Sequence, residues 1–192
     1  NIQQSTINQS TVKELWKKWQ NKQITSPSVL KQHIEVLQKA QTSHLNDGHI
    51  KTIYTQVDAS NNMTLPLLDQ TFSLAKKIEE CEEKYPGLKL IKDFVNIKTK
   101  NSSCLKLYDD FLSTIELKDL PSQTLNALWS AWKAKKITGK HQLAQFLEVI
   151  LEAQSLKENN TWVDYFAHFD SPKQKLRSSI LSLLYHNILD LG

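Results

Sequence analysis

One stretch of this chain occurs twice. Residues 11–41 read TVKELWKKWQNKQITSPSVLKQHIEVLQKAQ, and residues 124–154 read TLNALWSAWKAKKITGKHQLAQFLEVILEAQ. Aligned without a gap, at a shift of 113 residues, thirteen of the thirty-one positions are identical. They include Leu15/Leu128, Trp16/Trp129, Trp19/Trp132, Lys22/Lys135, Ile24/Ile137 and Gln41/Gln154. An internal duplication constrains the fold strongly, because the two segments must suit one local architecture. The shift is far longer than the roughly 20–50 residues of a solenoid repeat, so it points to duplication of a small bundle.

The period inside each copy is helical. Val12, Leu15, Trp16 and Trp19 stand at i, i+3, i+4 and i+7, and Leu125, Leu128, Trp129 and Trp132 repeat them. That is one apolar stripe of an amphipathic helix. The tryptophans are read as core anchors, since burying an indole contributes heavily to a small core; a ligand-stacking box is the alternative. Thr11 with Glu14 reads as a capping box opening the first helix. Residues 1–10, NIQQSTINQS, are polar and aperiodic and read as a flexible lead-in. Ser26 and Pro27 suit the N-cap and first position of the second helix. Its apolar residues Leu30, Ile34 and Leu37 are matched by Leu143, Leu147 and Ile150.

A weaker correspondence continues further. Residues 49–58 align with 161–170 after a one-residue slip, and a fourth helix is expected over 63–83 and again over 174–190. Pro86-Gly87 breaks the chain, residues 88–99 and 103–116 read as connector helices, and Pro121-Ser122 starts the second copy. The expected organisation is therefore all-α: a lead-in at 1–10, a first four-helix copy at 11–85, connectors at 86–121 and a second copy at 122–192, packed as one compact domain. With only four glycines and five prolines in 192 residues, few turns are available, which favours long helices.

Composition narrows the functional classes. No run approaches the roughly 18–20 apolar residues of a membrane span. The formal charge of +4 comes almost wholly from lysine, Arg177 being the sole arginine. Arginine supplies the bidentate contacts that read guanine edges and phosphates, so sequence-specific nucleic-acid binding is not expected. Cys81 and Cys104 form neither a CxxC nor a metal spacing, which suits a reducing compartment such as the cytoplasm. The chain opens on Asn1 and its one methionine is Met63, so it reads as an excised or processed fragment. A segment of a larger bacterial effector or scaffold, delivered into a host cell, is one setting for it.

Catalytic signatures are missing. The glycines stand alone, without GxGxxG, a Walker loop or GxSxG. The six histidines include no HExxH and no Cys/His ligand pattern. No cofactor, metal or catalytic residue is assigned. An enzyme whose site forms only in three dimensions is a third reading, behind two binding readings.

Those two readings come from where the copies differ. Opposite the tryptophans the first copy has Glu14, Lys18 and Asn21, and the second has Ala127, Ala131 and Ala134. Lys31, His33 and Gln38 become Ala144, Phe146 and Leu151. The second copy is thus apolar on two faces, which are either covered within the chain or exposed to bind a partner protein or a second copy of this chain. The first copy instead carries a lysine band, Lys13, Lys17, Lys18 and Lys22, suited to an anionic membrane or a polyanion. The acidic run Glu79, Glu80, Glu82, Glu83 reads as a solvated face. The leading expectation is a helical protein-interaction or adaptor domain, using Ala127, Ala131, Ala134 and Leu151 or the lysine band.

Overall fold

A computed structural model describes residues 7–57, 63–115, 120 and 122–158. Among these the chain is all-helical, with eight helices and no strand: α1 Gln9–Gln20, α2 Pro27–Thr42, α3 Asp47–Thr55, α4 Leu65–Lys84, α5 Ile91–Asn96, α6 Ser102–Ile115, α7 Ser122–Lys133 and α8 Lys140–Glu158. The helices expected over 161–170 and 174–190 lie outside the described residues. The chain divides into two compact units, one of residues 1–84 and 89–109, the other of residues 85–88 and 110–192.

Helix α1 begins earlier than the capping-box reading places it. Asn8 is the N-cap, its side chain accepting from the Ser10 N–H at 2.9 Å. Its own N–H donates to Gln41 Oε1 at 3.0 Å, and its Nδ2 donates to Asp47 Oδ2 at 2.8 Å. Gln41 also donates to Asp47. One polar knot therefore ties the start of α1, the end of α2 and the start of α3. Asn satisfies an orphan amide as Thr would, and here it also reaches two other helix ends. Thr11 is displaced into the core, fully buried, and its hydroxyl has no hydrogen-bond partner among the described residues. Helix α2 follows expectation: Ser26 caps it and Pro27 takes the first position.

In the first unit the core is built from Leu37, Ile53, Tyr54, Leu68, Ile78 and Phe94, each at 0% exposure. Two members of the acidic run are not merely solvated. Glu79 accepts from the Asn46 N–H at 3.2 Å, at the start of α3. Glu82 accepts from the Ile91 N–H at 2.7 Å and from the Leu90 N–H, at the start of α5. A carboxylate at a helix N-terminus meets unpaired amides and the positive end of the dipole. At the other end of α5, Lys100 is 1% exposed and donates to the Val95 and Ile97 carbonyls and to Gln56 Oε1. Burial pulls its ammonium down to about 8.

In the second unit, the Pro86-Gly87 break is held by α7. Ser122 Oγ donates to the Pro86 carbonyl, and Asn126 Nδ2 donates to the Gly87 carbonyl at 2.9 Å. Gly87 sits at φ 97°, a conformation that side-chain-bearing residues rarely adopt. The Tyr85 hydroxyl donates to the Ile115 carbonyl at 3.3 Å.

The two helical hairpins, α1–α2 and α7–α8, turn by the same hydrogen bonds. Lys22 N–H donates to the Trp19 carbonyl and Gln23 N–H to the Lys18 carbonyl; Lys135 N–H donates to the Trp132 carbonyl and Lys136 N–H to the Ala131 carbonyl. This is the Schellman pattern, in which the residue after the cap is left-handed. Here that residue is lysine both times, at φ 55° for Lys22 and 56° for Lys135. A side chain in that conformation costs roughly 1–2 kcal/mol, part of which glycine would return in greater unfolded-state freedom. Lys22→Gly and Lys135→Gly should therefore each stabilise the protein by up to about 1 kcal/mol. Chemical denaturation reads this directly, and a lower midpoint in both variants would contradict it.

Candidate functional site

The stripe of α1 does not bury as its period suggests. Thr11, Leu15 and Lys18 face inward, Val12 and Trp19 are half-buried, and Trp16 is 58% exposed. Trp16 is thus not a core anchor. Its place in the interior is taken by Lys18, 6% exposed, which leaves the surface lysine band. Its ammonium donates to the Val57 carbonyl and stands 5.3 Å from the centroid of the Tyr54 ring. The aliphatic stem lies in apolar surroundings while the charge meets an aromatic face and a carbonyl, which makes burial tolerable. Lys13, Lys17 and Lys22 remain exposed, Lys17 pairing with Glu14 at 2.9 Å.

The second hairpin buries more. Leu125, Trp129 and Trp132, the counterparts of Val12, Trp16 and Trp19, are exposed by 0%, 3% and 5%. The cover comes from α6: the Phe111 ring meets Trp129 edge-on, 5.1 Å between centroids at 63°, and lies 6.5 Å from Trp132. On α8, Leu143 and Leu147 are at 0%, whereas their counterparts Leu30 and Ile34 on α2 are half-buried. Of the residues singled out on the second copy, Ala131 is buried at 6%, Ala127 and Leu151 are half-buried, and Ala134 is exposed. Ala131 occupies the register of Lys18, and that position is interior in both hairpins. Among the described residues the large exposed apolar side chain therefore belongs to the first hairpin, the more polar copy in sequence.

Beneath that hairpin lies a buried polar pair. The Tyr54 hydroxyl stands 3.1 Å from His33 Nδ1, with the rings edge to face at 5.9 Å. Burial, and then the nearby Lys18 charge, lower the His33 pKa from its ordinary 6.5, so the folded state favours neutral imidazole. An unfolded chain then binds a proton that the folded one refuses, and stability is lost as pH falls below 6.5. Replacing His33 by phenylalanine, the residue at the same register in the second copy, should flatten this part of the pH dependence. Thermal unfolding of both proteins from pH 7.5 to 5.5 checks it, and parallel curves would contradict it.

A shallow depression of about 460 Å³ is lined by His44, Asn46, His49, Glu79, Glu82, Glu83 and Ile91. His49 Nδ1 and Glu79 Oε1 are 2.6 Å apart. Glu79 and Glu82 are committed to backbone amides, and among the described residues no third group completes a nucleophile or metal set. Among the described residues no three His, Cys, Asp or Glu side chains are placed to hold a metal ion. Cys81 and Cys104 form no disulfide and are half-buried, and burial pushes the Cys104 thiol up, away from a reactive thiolate. Among the described residues no helix is long and apolar enough to cross a membrane. Neither a family model, nor a curated protein, nor a solved structure matches the chain.

The two tryptophans of the shared position should respond oppositely to truncation. Trp129→Ala should cost about 3–5 kcal/mol, as a large-to-small change in a packed core does. Trp16→Ser should change stability by no more than about 0.5 kcal/mol, as exposed substitutions do. Equal losses in denaturant unfolding would mean that Trp16 is covered.

Proposed function

We propose that this chain is a helical protein-interaction module and that its contact surface is the outer face of the α1–α2 hairpin. The observation that carries this reading is Trp16, 58% exposed on a helix whose repeated partner keeps the same indole at 3%. Exposed indoles are poor surface residues and strong interface anchors, because one rigid side chain buries a large area. Half-buried Val12, Trp19, Leu30 and Ile34 on the same two helices add apolar area. Lys13, Lys17 and Lys22 supply a basic rim, as interfaces with an apolar centre and polar edge require.

This reading includes an origin for the two hairpins. We take them as descendants of one duplicated bundle, the second using its apolar face internally and the first keeping it for a partner. The matching bounds of α1 and α7 and the shared lysine turn support this.

A tryptophan between lysines also suits the interface of an anionic membrane. A helix lying in that interface presents a broad apolar face, however, and α1 turns much of its own inward against α3. A protein partner therefore fits better.

The test is capture from a native lysate with mass-spectrometric identification, comparing the wild type with Trp16→Ser at equal folded fraction. Retention of a protein by the wild type and its loss with Trp16→Ser is the expected result. Capture that ignores Trp16, or no capture by the wild type, would move the search elsewhere on the molecule.

A further inference from the structure

The second hairpin carries, in place, an example of what its apolar face binds. Helix α6 meets α7 through Phe111, at 0% exposure like Ile115, with Leu112 at 7%. Phe111 meets both tryptophans of α7. At the rim, Lys140 reaches Asp110 Oδ1 at 3.1 Å and donates to Ser113 Oγ at 2.9 Å. The occupant is an amphipathic helix with one aromatic knob in an aliphatic stripe and an acid at its edge.

The first hairpin keeps the same apolar registers, and among the described residues it has no such cover. Both tryptophans are retained, Val12 stands for Leu125, and Ile34 stands for Leu147. Two registers flanking the tryptophans change charge: neutral Asn126 and Ser130 on α7 correspond to Lys13 and Lys17 on α1, while Gln20 at the end of α1 corresponds to Lys133. Lys13 and Lys17 are exposed, as is Lys22 at the turn, and Glu14 offsets one of these charges. A second copy of this chain is a poor occupant. Self-pairing through this face would set two lysine rims against each other, a repulsion that interfaces avoid. The α6 of another copy has its own apolar side already buried.

We infer that the Trp16 face takes an acidic amphipathic helix from another protein, seated as α6 is seated on α7 and α8. The inference rests on the reading of this face as a protein-interaction surface and adds the partner's chemistry. An aromatic side chain of the partner meets Trp16 and Trp19, aliphatic residues one turn either side meet Val12 and Ile34, and carboxylates at the edge pair with Lys13 and Lys17. This is helix-in-groove recognition, with anchors at helical spacing giving affinity and the charged edge giving choice of partner.

The test uses the full chain and a synthetic peptide with the sequence of residues 102–115, carrying Cys104→Ser and Lys106→Glu to make it acidic. Binding is read by fluorescence anisotropy of the labelled peptide. The expected result is saturable binding that weakens by roughly tenfold or more when the peptide carries Phe111→Ala or the chain carries Trp16→Ser. Lys13→Glu/Lys17→Glu/Lys22→Glu should reverse the preference, favouring a basic peptide with Asp109→Lys and Asp110→Lys. Three results overturn the inference: no binding to the wild type, binding unaffected by Trp16→Ser, or equal affinity for acidic and basic peptides. Trp16-dependent retention on vesicles of anionic phospholipid, without peptide binding, overturns it too and makes the occupant a membrane. If lysate capture yields a Trp16-dependent protein while the acidic peptide fails, the interaction reading stands and the acidic-helix occupant falls.

Discussion

A two-helix hairpin has more apolar surface than two helices can hide from water by themselves. Helices joined by a short turn bury a seam between them and leave each helix a further flank, which a third element must cover or solvent must tolerate. Both hairpins of this protein obey that constraint on their inner side. Leu15 and Leu128 are buried, and the position held by Lys18 or Ala131 is interior in each. They part company on the outer flank, where α6 covers α7 with Phe111 and nothing among the described residues brings α1 to the same burial.

The inner side of the first hairpin is expensive by comparison. An ammonium, an imidazole and a phenol sit where the second hairpin has Ala131 and Phe146 at the first two positions. Such groups are tolerated inside only when each finds a partner, and these do: Lys18 reaches the Val57 carbonyl, and His33 reaches the Tyr54 hydroxyl. A buried polar set of this kind fixes geometry more than it adds stability, because any other packing would strand a donor. It holds α3 against α1 in one register and so fixes the side of α1 on which Trp16 is left.

Much of this was legible in the residues. The helical class and the cap at Ser26-Pro27 follow from period and local chemistry, which are short-range properties. The orientation of α1 was not, because its pattern offers two overlapping faces, Thr11-Leu15-Lys18 and Val12-Trp16-Trp19, and hydropathy chooses the second. The choice was made by Tyr54 of α3 and by Val57 just after it, which are distant in sequence. One signal existed. The register of Lys18 is alanine in the other copy, and small and basic residues share a site when it is interior and a carbonyl lies within reach of a long stem. The same holds for Glu79 and Glu82, whose spacing on one face of α4 says nothing of the helix starts at Asn46 and Leu90 that they secure. The acidic run looked solvated because its partners are backbone amides, and backbone amides leave no trace in a sequence.

If the Trp16 face is the proposed contact surface, the lysines around it take on a role. Interfaces discriminate between partners of similar apolar content by the sign of charge at the rim, where a mismatch costs more than a match gains. The covered hairpin needs little of this. Its occupant is tethered in the same chain, so neutral Asn126 and Ser130 suffice and Asn126 is spent on the Gly87 carbonyl. The occupant proposed for the first hairpin would have to be chosen from solution and kept distinct from α6. On the proposed reading, Lys13 and Lys17 at those two registers make that distinction without altering the apolar surface that would carry the affinity.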